Sequence, residues 1–328
     1  MTATLPAERA SRRTDVARLI REPLFGPLLA LVVALIVFSS LTDSFMTARN
    51  LSLVLQQSVV VGILAVGQTL IILTAGIDLS IGAVAVLGTI VLAKTAGTEG
   101  VLIGVLTTVV VCLGLGALNG ALVTVLRLPP FIVTLGVFTA VAAATQLVAG
   151  STTFPVDAGP LTVLGKPLTV FGFPTTWGVV VMLLVYLVAW YVLTQTSGGR
   201  HVYAVGGNRN AAQLTGIPTA RPLFTVYLLT GAIAVVAAWA ALGRIPNADP
   251  NAYQNANLET ITAVVIGGTS LFGGRGSVVG TLIGTLIVGV LRNGLTQAGV
   301  DNLYQNIATG ILVILAVALD QFARRRNS

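Results

Sequence analysis

Residues 101–126 read VLIGVLTTVVVCLGLGALNGALVTVL, and no charged side chain interrupts them. A run of that length exceeds the ~20 residues that a helix needs to cross the hydrocarbon core of a bilayer. Residues 24–38, 54–73, 176–194, 223–243 and 278–291 are likewise nearly charge-free. Lipid-exposed loops or sheet edges would leave backbone N–H and C=O groups unsatisfied in hydrocarbon, so these runs must be helical. A transmembrane barrel would alternate at period two, whereas these runs are continuous. Only 9% of the 328 residues are charged, against about 25% in a soluble domain. The chain therefore reads as an all-α, polytopic integral membrane protein whose partner is the lipid bilayer.

The pattern predicts about ten transmembrane helices, at roughly 24–42, 54–74, 79–95, 101–126, 129–149, 176–195, 223–243, 259–273, 278–297 and 303–321. The basic N-terminus (Arg9, Arg12, Arg13, Arg18, Arg21) precedes an apolar segment too long for a signal peptide, and SSLTDSF after it offers no small-residue cleavage site. It reads as a first span. Lys and Arg collect on cytoplasmic loops. With the N-terminal arginines inside, an even number of spans places residues 196–222 and Arg324, Arg325 and Arg326 inside as well. Asp43, Glu99, Asp157, Asp249, Glu259 and Asp301 then fall mostly outside, while Arg49, Lys166 and Arg244 run against the bias. The expected organisation is a cytoplasmic tail over 1–22, one transmembrane domain over 23–322 and a cytoplasmic tail over 323–328, with both termini on the cytoplasmic side of the membrane. Two polar connections, 150–175 and 244–258, fall outside and read either as a surface for an external partner or as plain connections.

Catalytic chemistry is missing from the pattern. The one cysteine, Cys112, lies inside an apolar run, so neither a disulfide framework nor a thiolate metal site is available. The one histidine, His201, sits among arginines that repel a cation. GGTSLFGG around Ser270 has the wrong spacing for a nucleophile elbow. GTIVLAKT, residues 88–95, approaches a phosphate loop, but Ala93 replaces the second glycine and bulky side chains fill the loop. It reads as a helix end with Lys94 reaching to the interface. The expectation is no catalytic residue, no cofactor and no metal. The net charge of +7 follows from arginines that flank spans and does not call for nucleic acid.

Gly116–Gly120 and Gly280–Gly284 have the spacing that lets helices approach closely. Two other segments, LTAGIDLSIGA around Asp78 and VVIGGTSLFGGRGSVVG around Arg275, interrupt apolar runs with glycine and charge. Each reads as a discontinuous helix beside a pathway or as a short interfacial turn. Ionisable residues at or within the runs are few: Asp78, Glu259, Arg275 and Arg292. Such groups are costly in lipid and mark function by default, and their scarcity weighs against proton- or sodium-driven transport. Neutral polar groups are more plentiful. Gln57, Gln68, Asn119, Thr134 and Ser270, with Asp78, are the candidate lining of a path for a neutral polyhydroxy solute. Hydrogen bonding between helices is the other reading of each.

Between two apolar runs lies GGRHVYAVGGNRNAAQLTGI, residues 198–217, with two arginines and no acid. Asn208 is a good N-cap, Ala211, Ala212, Gln213 and Leu214 favour helix, Gly216 suits a left-handed C′ position and Pro218 blocks continuation. The residues specify a short helix of about two turns with both ends encoded, too short and polar to span, and shaped to fit a groove in another protein.

YAVGGNRNAAQLTGI resembles the cytoplasmic coupling segment of permease subunits of ABC importers in the ribose/branched-chain group. QTLIILTAGIDLSIGA, LPPFIVTLG, GRHVYAVGGN, ETITAVVIGGTSLFGGRGSVVGTLIG and ILAVALDQ are similar to blocks of its monosaccharide (ribose/fructose-type) branch, in order, from about residue 50 to 322. The resemblance implies a dimeric pore, either a homodimer or a pair with a second permease. An ABC ATP-binding subunit would dock on the coupling element formed by Gly207, Asn208, Arg209, Ala211, Ala212 and Gly216. An extracytoplasmic sugar-binding protein would deliver the ligand. The alternative is an ion-gradient-driven secondary carrier or facilitator for a small polar solute, working through an acid such as Asp78.

Overall fold

The structure, a computed structural model, describes residues 24–327; the N-terminal arginines and the side chains of Arg324, Arg325 and Arg326 lie outside what is described. The described residues are almost wholly helical. The helices are α1 (Phe25–Leu41), α2 (Ala48–Leu73), α3 (Ile81–Glu99), α4 (Val101–Thr124), α5 (Pro130–Ala149), α6 (Trp177–Gln195), α7 (Ser197–Gly207), α8 (Arg209–Leu214), α9 (Ala220–Arg244), α10 (Ala256–Ile266), α11 (Val278–Gln297) and α12 (Asn302–Asn327). Four short strands complete the set: β1 (Phe154–Pro155), β2 (Pro167–Val170), β3 (Phe173–Thr176) and β4 (Asn247–Ala248).

Seven of these helices (α2, α3, α4, α5, α6, α9 and α11) are long and apolar enough to cross a membrane. Phe25–Leu41, Ala256–Ile266 and Asn302–Leu315 are apolar but shorter. These ten elements correspond to the ten predicted spans, and cross-links between connections show that they alternate in direction. At one end, called here the near end, Gly274 N–H donates to the Leu73 carbonyl at 3.0 Å, Thr134 Oγ1 to the Ile77 carbonyl at 3.0 Å and Tyr203 Oη to the Gly276 carbonyl at 2.9 Å. At the far end Ser44 Oγ bonds Gln297 at 3.0 Å, Gln146 bonds Asn251 at 2.9 Å, Asn255 bonds Asn306 at 3.1 Å, and β1 pairs antiparallel with β4.

The predicted span at 259–273 needs correction. Helix α10 stops at Ile266, and residues 267–277 are irregular. Eleven helical residues rise only about 16 Å, roughly half a hydrocarbon core. Irregular backbone at membrane depth is tolerated only where protein surrounds it and supplies hydrogen bonds. The segment meets that condition: Thr269 N–H donates to the Val264 carbonyl, Ser270 N–H to the Arg275 carbonyl and Gly273 N–H to the Ser270 carbonyl. The break at 74–80, between α2 and α3, is also non-helical, so both interruptions read from the sequence are present. GTIVLAKT lies within α3, with Lys94 Nζ donating to the Val148 carbonyl at 2.8 Å, so it forms no phosphate loop.

Helix α2 is central. Nearly its whole circumference is buried from Ser58 to Leu73, and it packs against α6, α9, α10 and α11. Helices α1, α4, α5 and α6 carry the outward apolar surface, with Ile36, Leu102, Val110, Ile132 and Leu187 exposed. Apolar area on that scale is stable only against lipid or another protein. The paired glycines serve packing, as their spacing predicts. A side chain on Gly116 would strike the Tyr227 carbonyl of α9, and one on Gly284 would strike the Ala263 carbonyl of α10.

The connection at 150–175 holds more order than its Gly, Pro and Thr content suggests. After a single 3₁₀ segment at Pro160–Gly165, β2 and β3 form a hairpin in which Val170 pairs with Phe173. Its two turn residues, Phe171 and Gly172, both have positive φ, +50° and +82°, as a type I′ turn requires. Phenylalanine is an unusual choice there, which is why turn chemistry did not disclose the hairpin.

Candidate coupling segment and ligand cavity

The polar stretch between α6 and α9 forms two helices, one more than the sequence predicts. Helix α7 starts where Thr196 Oγ1 accepts from Gly199 N–H at 3.2 Å. Four glycines in eleven residues (198, 199, 206 and 207) oppose helix by propensity. Packing overrides them. Gly206 lies against the Leu73 carbonyl and the Gly274 amide so closely that any Cβ would collide with both, so glycine is the residue that permits this approach.

Asn208 then breaks the helix in extended conformation and caps the next one, its Oδ1 accepting from Ala211 N–H at 3.0 Å. Helix α8 ends in a full Schellman motif: Ile217 N–H donates to the Ala212 carbonyl at 3.1 Å and Gly216 N–H to the Gln213 carbonyl at 3.0 Å. Gly216 has φ +85°, the left-handed geometry this motif needs. The helix is six residues long, slightly shorter than two turns. Of the candidate coupling residues, Gly207, Asn208, Arg209, Ala211 and Gly216 are exposed and Ala212 is buried. Ala212 packs with Val205 and Leu223 and so anchors the helix. Leu214, 90% exposed, is the apolar tip that sequence reasoning did not single out.

Helix α7 touches both broken segments. The junction comprises Leu73–Ala75 after α2, Gly206–Gly207 at the end of α7 and Gly273–Gly276 after α10. Its contacts are mostly backbone to backbone, with few side chains between α7 and the two chain breaks.

The candidate path residues divide. Asp78 is buried, its Oδ1 accepting from the N–H and the Oγ of Ser80, each at 2.7 Å. Asn119 Nδ2 donates to Ser80 Oγ at 2.9 Å, and Thr134 holds the Ile77 carbonyl. Asp78, Asn119 and Thr134 thus form one buried cluster that fixes the break to α4 and α5. Ser270 lies in the near-end loop, half-buried Gln57 lies in the far-end half of α2, and Gln68 is fully buried with no hydrogen-bond partner on either amide atom. The six do not line one common channel.

A cavity of about 540 Å³ opens at the far end between α3, α5 and residues 250–257. None of the six lines it. Its polar side chains include Gln146, Asn251 and Asn257, with Phe138 and Tyr253 as aromatic neighbours. The signal was the amide density of NADPNAYQNAN, residues 247–257, which the sequence presents only as a polar connection. No cluster of His, Cys, Asp and Glu among the described residues has metal-binding form.

A bundle of alternating apolar helices with two buried breaks and an exposed capped helix defines a polytopic membrane protein. Residues 50–317 match the family described as branched-chain amino acid transport system / permease component, and the chain belongs to that family. It is 44% identical over 313 residues to the fructose import permease protein FrcC of Rhizobium meliloti, covering 92% of this chain and 86% of that one. It is 40% identical to the ribose import permease protein RbsC of Escherichia coli K12, over 89% of this chain and 92% of the relative. It is 35% identical to the D-allose transport system permease protein AlsC of the same strain, over 90% and 91%. No solved structure matches the chain at a significant level. The protein is a multi-pass membrane transport subunit.

Proposed function

We propose that this chain is the permease of an ABC importer for a monosaccharide of the ribose/fructose type, with α8 as the helix that receives a separate ATP-binding subunit. The observation that carries the reading is α8 itself. It is capped at both ends and exposed, it follows directly on α7, and the backbone of α7 at Gly206 and Gly207 lies in close contact with both chain breaks, with Tyr203 Oη donating to the Gly276 carbonyl. A short helix in this position transmits displacement. The near end is then cytoplasmic, with both termini and residues 196–222 on that side, in the bacterial inner membrane. The far end faces an extracytoplasmic sugar-binding protein. The pore is a dimer of two copies or of this chain with a second permease. ATP binding in the partner favours one of two arrangements of the bundle, and differential affinity for the two arrangements drives the alternation. Relatives named for fructose, ribose and allose import support the substrate class.

The carrier alternative would use Asp78 as a titrating group. Asp78 is instead tied to Ser80 by two short bonds within a cluster that holds a chain break, which supports a positioning role.

The test is a pull-down of the tagged chain from its native membrane in mild detergent, with mass spectrometry of what accompanies it. An ATP-binding subunit, lost in Ala211→Glu, is the expected result. A chain that comes down alone and transports in liposomes without ATP would transfer the case to the carrier.

A further inference from the structure

The far-end cavity contains none of the candidate coupling residues, and its lining is polar and aromatic. Its volume of about 540 Å³ falls within the roughly 300–1,000 Å³ typical of small-molecule sites. Phe138 and Tyr253 contribute aromatic rings, and Thr145, Gln146, Asn251 and Asn257 contribute hydroxyl and amide groups. No described lining residue is charged. An amide both donates and accepts, as does the hydroxyl of a sugar. An amino acid would bring an ammonium and a carboxylate, each expensive to desolvate without a counter-charge.

Two details make this more than a gap between helices. Gln146 Nε2 donates to Asn251 Oδ1 at 2.9 Å, so α5 is latched to the 250–257 loop by a pair of amides that a ligand hydroxyl can bridge or replace. Asn257 Oδ1 accepts from Gly82 N–H at 2.8 Å, which ties the other end of the loop to α3. Between them Tyr253 is held at φ +54°, a left-handed conformation that bulky residues rarely adopt. Strain of this kind persists where the surroundings enforce it and gathers at ligand clamps.

We infer that the cavity is a monosaccharide-binding site within the permease itself. Gln146 and Asn251 hydrogen-bond the ring hydroxyls, and Phe138 and Tyr253 pack against the apolar face of the ring. The inference rests on the reading of the chain as a monosaccharide permease, and it adds a binding step inside the membrane subunit between delivery of the sugar and its release.

The site is tested by protection from labelling in the purified full-length permease, without any binding protein. Ala142→Cys, in the cavity wall, is combined with Cys112→Ser to remove the buried native thiol. Its reaction with a maleimide is timed with and without excess D-fructose or D-ribose. The expected result is at least threefold slowing by one of the sugars, abolished when Gln146→Leu is added, while the ATP-binding subunit still co-purifies. Leu147→Cys, at a position 83% exposed, should react at a sugar-independent rate. If neither sugar alters labelling at position 142 while the wild-type assembly imports sugar, the cavity is not the site and the permease reading stands. If the wild-type assembly, given ATP, imports none of D-fructose, D-ribose and D-allose, the monosaccharide reading falls and the ligand class with it.

Discussion

The backbone N–H of Gly274 donates to the carbonyl of Leu73 at 3.0 Å, joining the break after α10 to the break after α2. Leu73 ends one helix and has no helical partner for its carbonyl, as the last residues of any helix do. Gly274 supplies the donor from a chain segment that itself lacks helical partners. Gly206 of α7 lies against both groups. Two weaknesses of the bundle are thus closed against each other, under the helix that leads to α8.

Gly206→Ala should therefore disturb the junction. The added Cβ meets backbone on two sides, and overpacking of this kind costs about 1–3 kcal/mol. The expected outcome is a lower unfolding temperature in detergent and loss of transport. Gly207→Ala, where the added Cβ meets nothing, should leave the unfolding temperature nearly unchanged. Equal effects in the two variants would contradict the junction geometry.

Ala211→Glu and Ala212→Glu separate docking from folding. Ala211 is exposed, whereas Ala212 is buried against Val205 and Leu223. The first variant should keep wild-type stability and lose its partner. The second should lose α8 itself, because an unpaired carboxylate cannot remain in that cluster. Protease cleavage near residue 213 in the second variant alone is the readout.

Asn208→Ala removes the N-cap of α8, at a cost of about 1 kcal/mol. Hydrogen exchange at the amides of Ala211 and Ala212 should accelerate about fivefold, with exchange in α2 unchanged. An unaltered α8 would mean that its packing, and not its cap, fixes the helix.

Arg292 and Glu259 form an ion pair between α11 and α10, the arginine half-exposed and the glutamate nearly buried. Arg292→Ala removes the ion-pair partner of Glu259 and should destabilise by about 1–2 kcal/mol, less than a fully buried pair because water reaches the guanidinium. Adding Glu259→Gln should restore much of the loss. A double variant less stable than the single one would assign the effect to lost packing instead.

Long apolar runs made the spans legible, because hydrocarbon leaves the backbone no alternative to helix. The caps of α8 were legible for a similar reason: Asn208 and Gly216 act on neighbours within a few residues. Helix α7 was not, since Gly198, Gly199, Gly206 and Gly207 argue locally against helix and are required by contacts with chain far away in sequence. The early end of α10 followed the same logic, its irregular continuation depending on partners from α2. The cavity was least legible. Gln146 and Asn251 are separated by more than one hundred residues, and nothing local to either one points to the other.

The central position of α2 bears on biogenesis. Ribosomes deliver α2 well before α9, α10 and α11, the neighbours that later enclose it. Until then Gln68 and the small polar groups along that helix face acyl chains. A chain halted after α6 would leave this surface uncovered, and pulse-chase experiments should find such fragments short-lived beside the complete protein. The order of synthesis thus places a demand on the cell's insertion and quality-control machinery that the finished bundle conceals.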